Sequence, residues 1–394
     1  MSWELKRLSD CCISIADGDH QAPPKADSGI PFVTISNINT TNQFDFTDTM
    51  FVPQEYYDRL DTKRKAQKGD ILYSVVGSFG VPVYMRETIP FVFQRHIAIL
   101  RPNDTILPQF LYYTMLSRDF YMMADAAALG AAQRTISLTA LRNMKIAVPP
   151  MNVQERIVDI LSSYDDLIAN NQKQIKLLEE AAQRLYKEWF VDLRFPGHET
   201  TPITDGIPEG WTVQSMNDIA EYINGYAFKP TDWGTVGKPI IKIKEMGSGV
   251  TSDTPRNTGE DIPEKYNVTA GDILFSWSAT LSAMIWDEED GLLNQHLFKV
   301  IPGEGISREF VLQSILKTLD EFSNLTTGST MKHIQRGKLK EVKVNVPPTE
   351  LMEQYRNISE PIREQILNVK RQIILLREAR DRLLPKLMNG EIEV

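Results

Sequence analysis

Hydrophobic positions along the chain fall into two alternating kinds of stretch. Short β-branched or aromatic runs bounded by Gly, Pro, Asn and Asp, at 31–35, 70–76 and 96–100, predict strands, and a helix is predicted after each set, over 108–123 and 307–322. Past Val148-Pro149-Pro150, and again past Val346-Pro347-Pro348, the period lengthens and the chain becomes amphipathic helix. The first helical stretch opens on Asn152 and Glu155, spaced as a capping box, and carries apolar side chains at Ile157, Ile160, Tyr164, Leu167, Leu178, Ala181 and Leu185, interrupted by Asn171 and Gln174. The second carries Tyr355, Ile358, Ile362, Val369, Leu376, Ala379 and Leu383, with Gln372 where the first has Gln174. One apolar seam per helix predicts that the two pack on each other, and a buried polar pair would set their register. Pro361 is expected to kink or restart the second helix, and Asn389-Gly390 to stop it.

The alternation reflects a duplication. Residues 130–150 match 328–348 at 7 of 21 positions with an offset of 198, and the same offset aligns 172–185 with 370–383 at 8 of 14. Upstream the offset drifts: Gly69-Asp70-Ile71-Leu72 answers Gly271-Asp272-Ile273-Leu274, Gln94-Arg95-His96 answers Asn294-Gln295-His296, and Trp3 answers Trp211. The rear of each repeat is locked in length while its front changes loops. The expected organisation is α+β: front domains over 1–150 and 196–348, and helical segments over 151–195 and 349–394.

With 394 residues and about 150 per domain, two or three domains are expected. No long apolar run and no leader-like N-terminus are present, so the chain reads as soluble and cytoplasmic, without a membrane. The only cysteines, Cys11 and Cys12, are adjacent and suit neither a disulfide framework nor a zinc site. A net charge of −9 argues against a coat of nonspecific nucleic-acid affinity but leaves room for one basic face.

Motifs for chemistry are missing. There is no phosphate-cradling Gly-rich loop before Lys-Ser/Thr, no dinucleotide turn, and no Asn/Asp-Pro-Pro-Tyr/Phe of an amino-methyltransferase. Glu341-Val-Lys343 has nuclease-like spacing, but its aligned partners Asn143 and Lys145 cannot ligate a metal alike. The five histidines never stand at ligand spacing with cysteine. No catalytic group, metal or cofactor is therefore assigned to this chain.

What remains is polar loops that differ between the copies and carry side chains able to reach base edges and phosphates. In the first copy these are Asp19, His20, Gln21, Lys25, Ser74, Ser78, Gln94, Arg95, His96, Gln133, Arg134 and Thr135. In the second they are Lys229, Lys242, Ser276, Ser278, Asn294, Gln295, His296, Met331, Lys332 and His333.

The repeated Gly-Asp-Ile-Leu strands, the Gly-x-x-x-x-x-Ile loops leading to Val-Pro-Pro, Trp189-Phe-Val-Asp-Leu193, and the closing Arg382-Leu-Leu-Pro-Lys-Leu-Met-Asn-Gly-Glu-Ile392 resemble the specificity subunit of Type I restriction-modification systems. The resemblance spans the chain. It implies two target recognition domains, each reading half of a bipartite, asymmetric double-stranded DNA site, held apart by an antiparallel coiled-coil pair of helices. It further implies a noncatalytic reader that docks two modification (methyltransferase) subunits and joins two ATP-driven restriction subunits. S-adenosylmethionine, ATP and Mg would then sit on those partners. The competing reading is a duplicated coiled-coil scaffold that binds protein only.

Overall fold

The computed structural model describes residues 3–20, 22–39, 42–47, 49–77, 79–130, 134–278, 280–324 and 336–394. The chain divides into two compact units, Met1–Asn170 with Ile373–Val394, and Asn171–Gln372. The division falls within both long helices, so each unit holds one front domain, the first part of its own helix and the last part of the other.

The front domains repeat one plan. In the first unit, strands Cys12–Asp17, Ile97–Pro102, Ile71–Ser74 and Pro82–Tyr84 form an antiparallel four-stranded sheet in that order, with Ile71 opposite Leu100. The second unit builds the same sheet from Ala220–Asn224, Leu297–Pro302, Ile273–Ser276 and Ser282–Ile285, with Ile273 opposite Val300. Gly69 and Gly271 open the matching hairpins at φ of +93° and +100°, where a side chain would be strained. The Asp70 and Asp272 carboxylates accept from the Gln67 and Thr269 backbone N–H at 2.8 Å, so Gly-Asp is a turn signal. Each copy also pairs its first strand with the one before Pro-Pro: Glu4 opposite Val148, and Thr212 opposite Val346.

The predicted helices after the sheets are each broken in two. In the first unit Pro108–Leu116 ends at Ser117, whose hydroxyl accepts from Phe120 N–H at 3.3 Å and starts Arg118–Ala127. The counterparts are Arg308–Lys317 and Leu319–Asn324.

The long helices run over Met151–Tyr186 and Thr349–Met388. In the first unit Leu384 and Leu387 share a core with Ile157 and Leu161, and Arg380 Nη1 lies 2.7 Å from Asp165 Oδ1. In the second, Asn171 Nδ2 donates to Gln372 Oε1 at 3.3 Å, while Trp189 and Phe190 pack on Tyr355 with ring centroids 5.9 and 4.8 Å apart. Within each unit the segments therefore run antiparallel.

Three expectations about these helices are corrected. The seam drifts by one residue: Leu167 is 50% exposed and Ile358 45%, while Ile168 and Ser359 are buried in their place. A 3.5-residue spacing slips around a 3.6-residue helix, and each helix also buries residues off the seam, Gln154 and Val158 in the first and Leu351 and Met352 in the second. Among the other seam positions Ile157, Asn171 and Val369 are buried, and Ile160, Tyr164, Gln174, Leu178, Leu185, Ile362, Leu376 and Leu383 are half-buried, whereas Ala181 and Gln372 are exposed, so the expected polar pair is buried on the Asn171 side alone. The helix starts at Met151, before Asn152, so no capping box forms. Gln154 instead joins helix to domain, accepting from Leu107 N–H at 2.8 Å and donating to Pro149 O at 2.9 Å. Pro361 does not restart the helix, which is continuous through it.

Candidate nucleic-acid interface

At the end of each central sheet the backbone makes the same close crossing. Gly18 N–H donates to Ile97 O and Asp19 N–H to Phe93 O, at 3.1 and 3.0 Å. Gly225 N–H donates to Leu297 O and Tyr226 N–H to Leu293 O, at 3.0 and 2.8 Å. A Cβ on Gly18 would stand 2.3 Å from Phe93 O, and on Gly225 2.1 Å from Asn294 O, so only glycine fits. Beyond each crossing a tight turn, closed by Ile97 N–H to Gln94 O and Leu297 N–H to Asn294 O at 3.0 Å, presents the next two side chains. Those are Arg95-His96 in one unit and Gln295-His296 in the other. These glycines escaped the sequence reading, although Asp17-Gly18 and Asn224-Gly225 stand alike at a strand end.

In the first unit this turn meets two other segments. Thr135 bridges Leu129 and Val76, Gly77 N–H donates to Arg134 O at 3.0 Å, and Ile136 N–H to Val75 O at 2.9 Å. The result is a cleft of about 300 Å³ lined by Asp17, Val76, Arg95, His96, Thr135 and Ser137, among others. Arg95 is exposed and His96 half-buried, so a cation and an imidazole stand at its edge. Arg134 is held in place, its guanidinium paired with Asp125 and 5.5 Å from the Phe79 ring.

Beside the cleft lies a charge network. His20 Nε2 is 2.7 Å from Asp17, and Arg64 reaches Asp17 at 3.8 Å and Asp19 at 3.7 Å. Tyr56 OH donates to Asp19, and burial with that carboxylate pushes the phenol up to about 12. Asp19 is thereby occupied in fixing its loop. Lys25 is exposed.

Several expected readers are corrected by burial. Ser74 is fully buried and its Oγ accepts from Val81 N–H at 2.9 Å. Ser276 is buried and donates to Thr280 O at 2.6 Å, and Ser278 and Asn294 are 2% and 6% exposed. These side chains close the ends of hairpins and turns. Gln94 is half-buried at the bridge with Asp19.

In the second unit Gln295 Nε2 lies 3.4 Å from His296 Nε2, while His296 Nδ1 is buried without a partner among the described residues. Lys242 Nζ stands 4.1 Å over the ring of Trp233, a half-exposed tryptophan that the sequence reading did not single out. Lys229 N–H donates to the Asp232 carboxylate at 2.7 Å and its side chain is exposed. Gln21, Ser78, Gln133, Met331, Lys332 and His333 lie outside the described residues. Among the described residues no cluster of His, Cys, Asp and Glu could hold a metal, and no helix is long and apolar enough to cross a membrane.

A family model described as the Type I restriction modification DNA specificity domain matches the chain twice, over residues 2–180 and 208–368. The chain belongs to this family. It is 24% identical over 314 residues to the MjaIX specificity subunit of a Type I restriction enzyme from Methanocaldococcus jannaschii, covering 74% of this chain and 71% of that one. To the HindI specificity subunit from Haemophilus influenzae it is 23% identical over 440 residues, covering 92% and 95%. A solved S subunit of a Type I system from M. genitalium aligns over 98% of this chain and 96% of that one, at 15% identity and a TM-score of 0.54, a likeness of fold. Members of the family recognise DNA sequence, so the duplicated domains are noncatalytic readers, and the protein-only scaffold is not favoured.

Proposed function

We propose that each unit reads one half of a bipartite, asymmetric DNA sequence, and that the long helices set the gap between half-sites and dock two modification subunits. Two ATP-driven restriction subunits complete the assembly in the cytoplasm, and S-adenosylmethionine, ATP and Mg belong to those partners. The observation that carries this reading is the shared frame with unlike cargo: Arg95-His96 and Gln295-His296 sit on equivalent turns beyond equivalent glycine crossings. Arginine and glutamine favour different base edges, so the two units should prefer different half-sites.

The chain co-expressed with its methyltransferase subunit should shift one DNA sequence in a gel and methylate adenines in one bipartite motif. The chain alone should bind weakly at physiological salt, because its net charge of −9 supplies no excess of cations for counterion release. A palindromic motif, or tight specific binding by the chain alone, would count against the proposal. Four extra residues after both Asn170 and Asn368 would lengthen each helix by about 6 Å. At about 3.4 Å per base pair, the unread gap should grow by one or two base pairs with both half-sites unchanged.

A further inference from the structure

The polar contacts that tie each domain to its helix have opposite sign in the two repeats. In the first, the helix supplies the carboxylates: Asp165 accepts from Tyr113 OH at 2.7 Å, and Asp166 pairs with Arg86 at 2.7 Å. In the second, the helix supplies the cations: Arg363 binds Glu309 through three contacts of 2.9 to 3.0 Å, and Lys370 pairs with Asp287. Position 363 is the duplicate of 165 at the offset of 198.

The residue that completes the first of these sites comes from the other repeat. Arg380 Nη1 lies 2.7 Å from Asp165 Oδ1, and both side chains are largely buried, at 19% and 11% exposure. The duplicate of Arg380 is Ala182, which is buried in the second unit, where Glu309 already satisfies Arg363. Each repeat therefore suits the other and not a copy of itself. Two first repeats would set Ala182 on Asp165, leaving a buried carboxylate without its guanidinium. Two second repeats would set Arg380 on Arg363, two guanidiniums sharing one carboxylate. The seam adds a second, weaker mismatch, because the buried Asn171 donates to the exposed Gln372, whereas two second repeats would offer Gln372 the aliphatic Val369. Unpaired buried charge and unlike polar pairs at a helix seam are strong discriminators between partners.

We infer that the Asp165–Arg380 pair selects unlike pairing, so that a first repeat takes only a second repeat as partner, within one chain or between copies. The consequence is a reader that stays asymmetric, with no assembly presenting the same reading face twice.

The test uses the full chain with a protease site placed between Glu199 and Thr200, cut after folding. Tagged and untagged nicked proteins are mixed, and the pairings are read by native mass spectrometry. Wild type should contain first-with-second pairs, with like pairs at least about tenfold below the random share. Arg380→Asp opposes Asp165 and complements Arg363, so second-with-second pairs should appear. Asp165→Arg with Arg380→Asp should restore the unlike pair. Random pairing in wild type would overturn the inference. So would simple dissociation of the R380D repeats without second-repeat pairs, or no recovery in the double variant, since a purely stabilising contact would give those results.

Discussion

At 94–97 and 294–297 the two units turn the backbone through the same hydrogen bond, with Gln94 O and Asn294 O each 3.0 Å from the amide three residues on. The first turn opens onto a cleft with Arg95 at its edge, while the second presents Gln295 beside a histidine whose buried Nδ1 has no partner among the described residues. The backbone crossing tolerates no side chain and repeats, whereas the side chains it carries have diverged. If these turns read DNA as proposed, recognition is separable from the frame, and damage to one unit should spare the other.

The sharpest way to break the comparison is to remove a charge on which one unit alone depends. Glu309 is 2% exposed and holds Arg363 and Gln313, so Glu309→Ala leaves a buried guanidinium unpaired, at a cost of about 3 to 5 kcal/mol. Tryptophan fluorescence reports the second unit, which holds Trp189, Trp211, Trp233, Trp277 and Trp286, whereas Trp3 is in the first. Urea unfolding followed by fluorescence should move to lower denaturant, with hydrogen exchange in the first sheet unchanged. Equal weakening of both units would mean that their cores are not independent.

Alanine at the two crossings should cost about 1 to 3 kcal/mol each by overpacking. Gly18→Ala should degrade only the half-site read by the first unit and Gly225→Ala only the other, as scored by methylome mapping. A smaller change follows from Arg95→Ala, which alters no packing. A base-edge contact carries about 1 to 3 kcal/mol of discrimination, so methylation should spread to near-cognate sequences in one half-site only. An unchanged methylome would remove Arg95 from the reading face.

The duplication, the α+β fronts and the helical rears were all legible in the residues, because a constant offset and a switch of period survive divergence. The seam was legible to within one residue: Leu167 and Ile358 turned outward since the helices serve two faces, and a single-seam pattern sees one. Among the candidate reading residues, chemical type could not tell an exposed hydroxyl from a buried one. Ser74 and Ser276 close hairpins through hydrogen bonds set by tertiary position. Gly18 and Gly225 were missed because a glycine at a strand end suggests a turn, and only the approach of Phe93 O and Asn294 O shows what excludes a Cβ.

The smallest expected difference lies in alkaline stability. Both cysteines belong to the first unit, and burial pushes Cys12 up to about 12 from an ordinary 9.0, with Cys11 and Asp70 adding to the shift; burial raises Cys11 as well. In the folded unit Cys12 keeps its proton through this range and Cys11 gives its up less readily, while in the unfolded chain both ionise. Between pH about 9 and 10 the unfolded state therefore binds fewer protons, and stability falls as pH rises. Below pH about 9 both states are protonated and the contribution is constant. Above pH about 10 the buried Tyr73 and Tyr222, both raised by desolvation, add the same trend to both units, so the window that isolates the first is narrow. Urea midpoints from hydrogen exchange in the first sheet should drop across pH 9 to 10, while the fluorescence midpoint of the second unit lacks this thiol-linked fall. Cys12→Ala should flatten the first curve after its own packing loss is subtracted, and an equal slope in wild type and variant would assign the fall to another group.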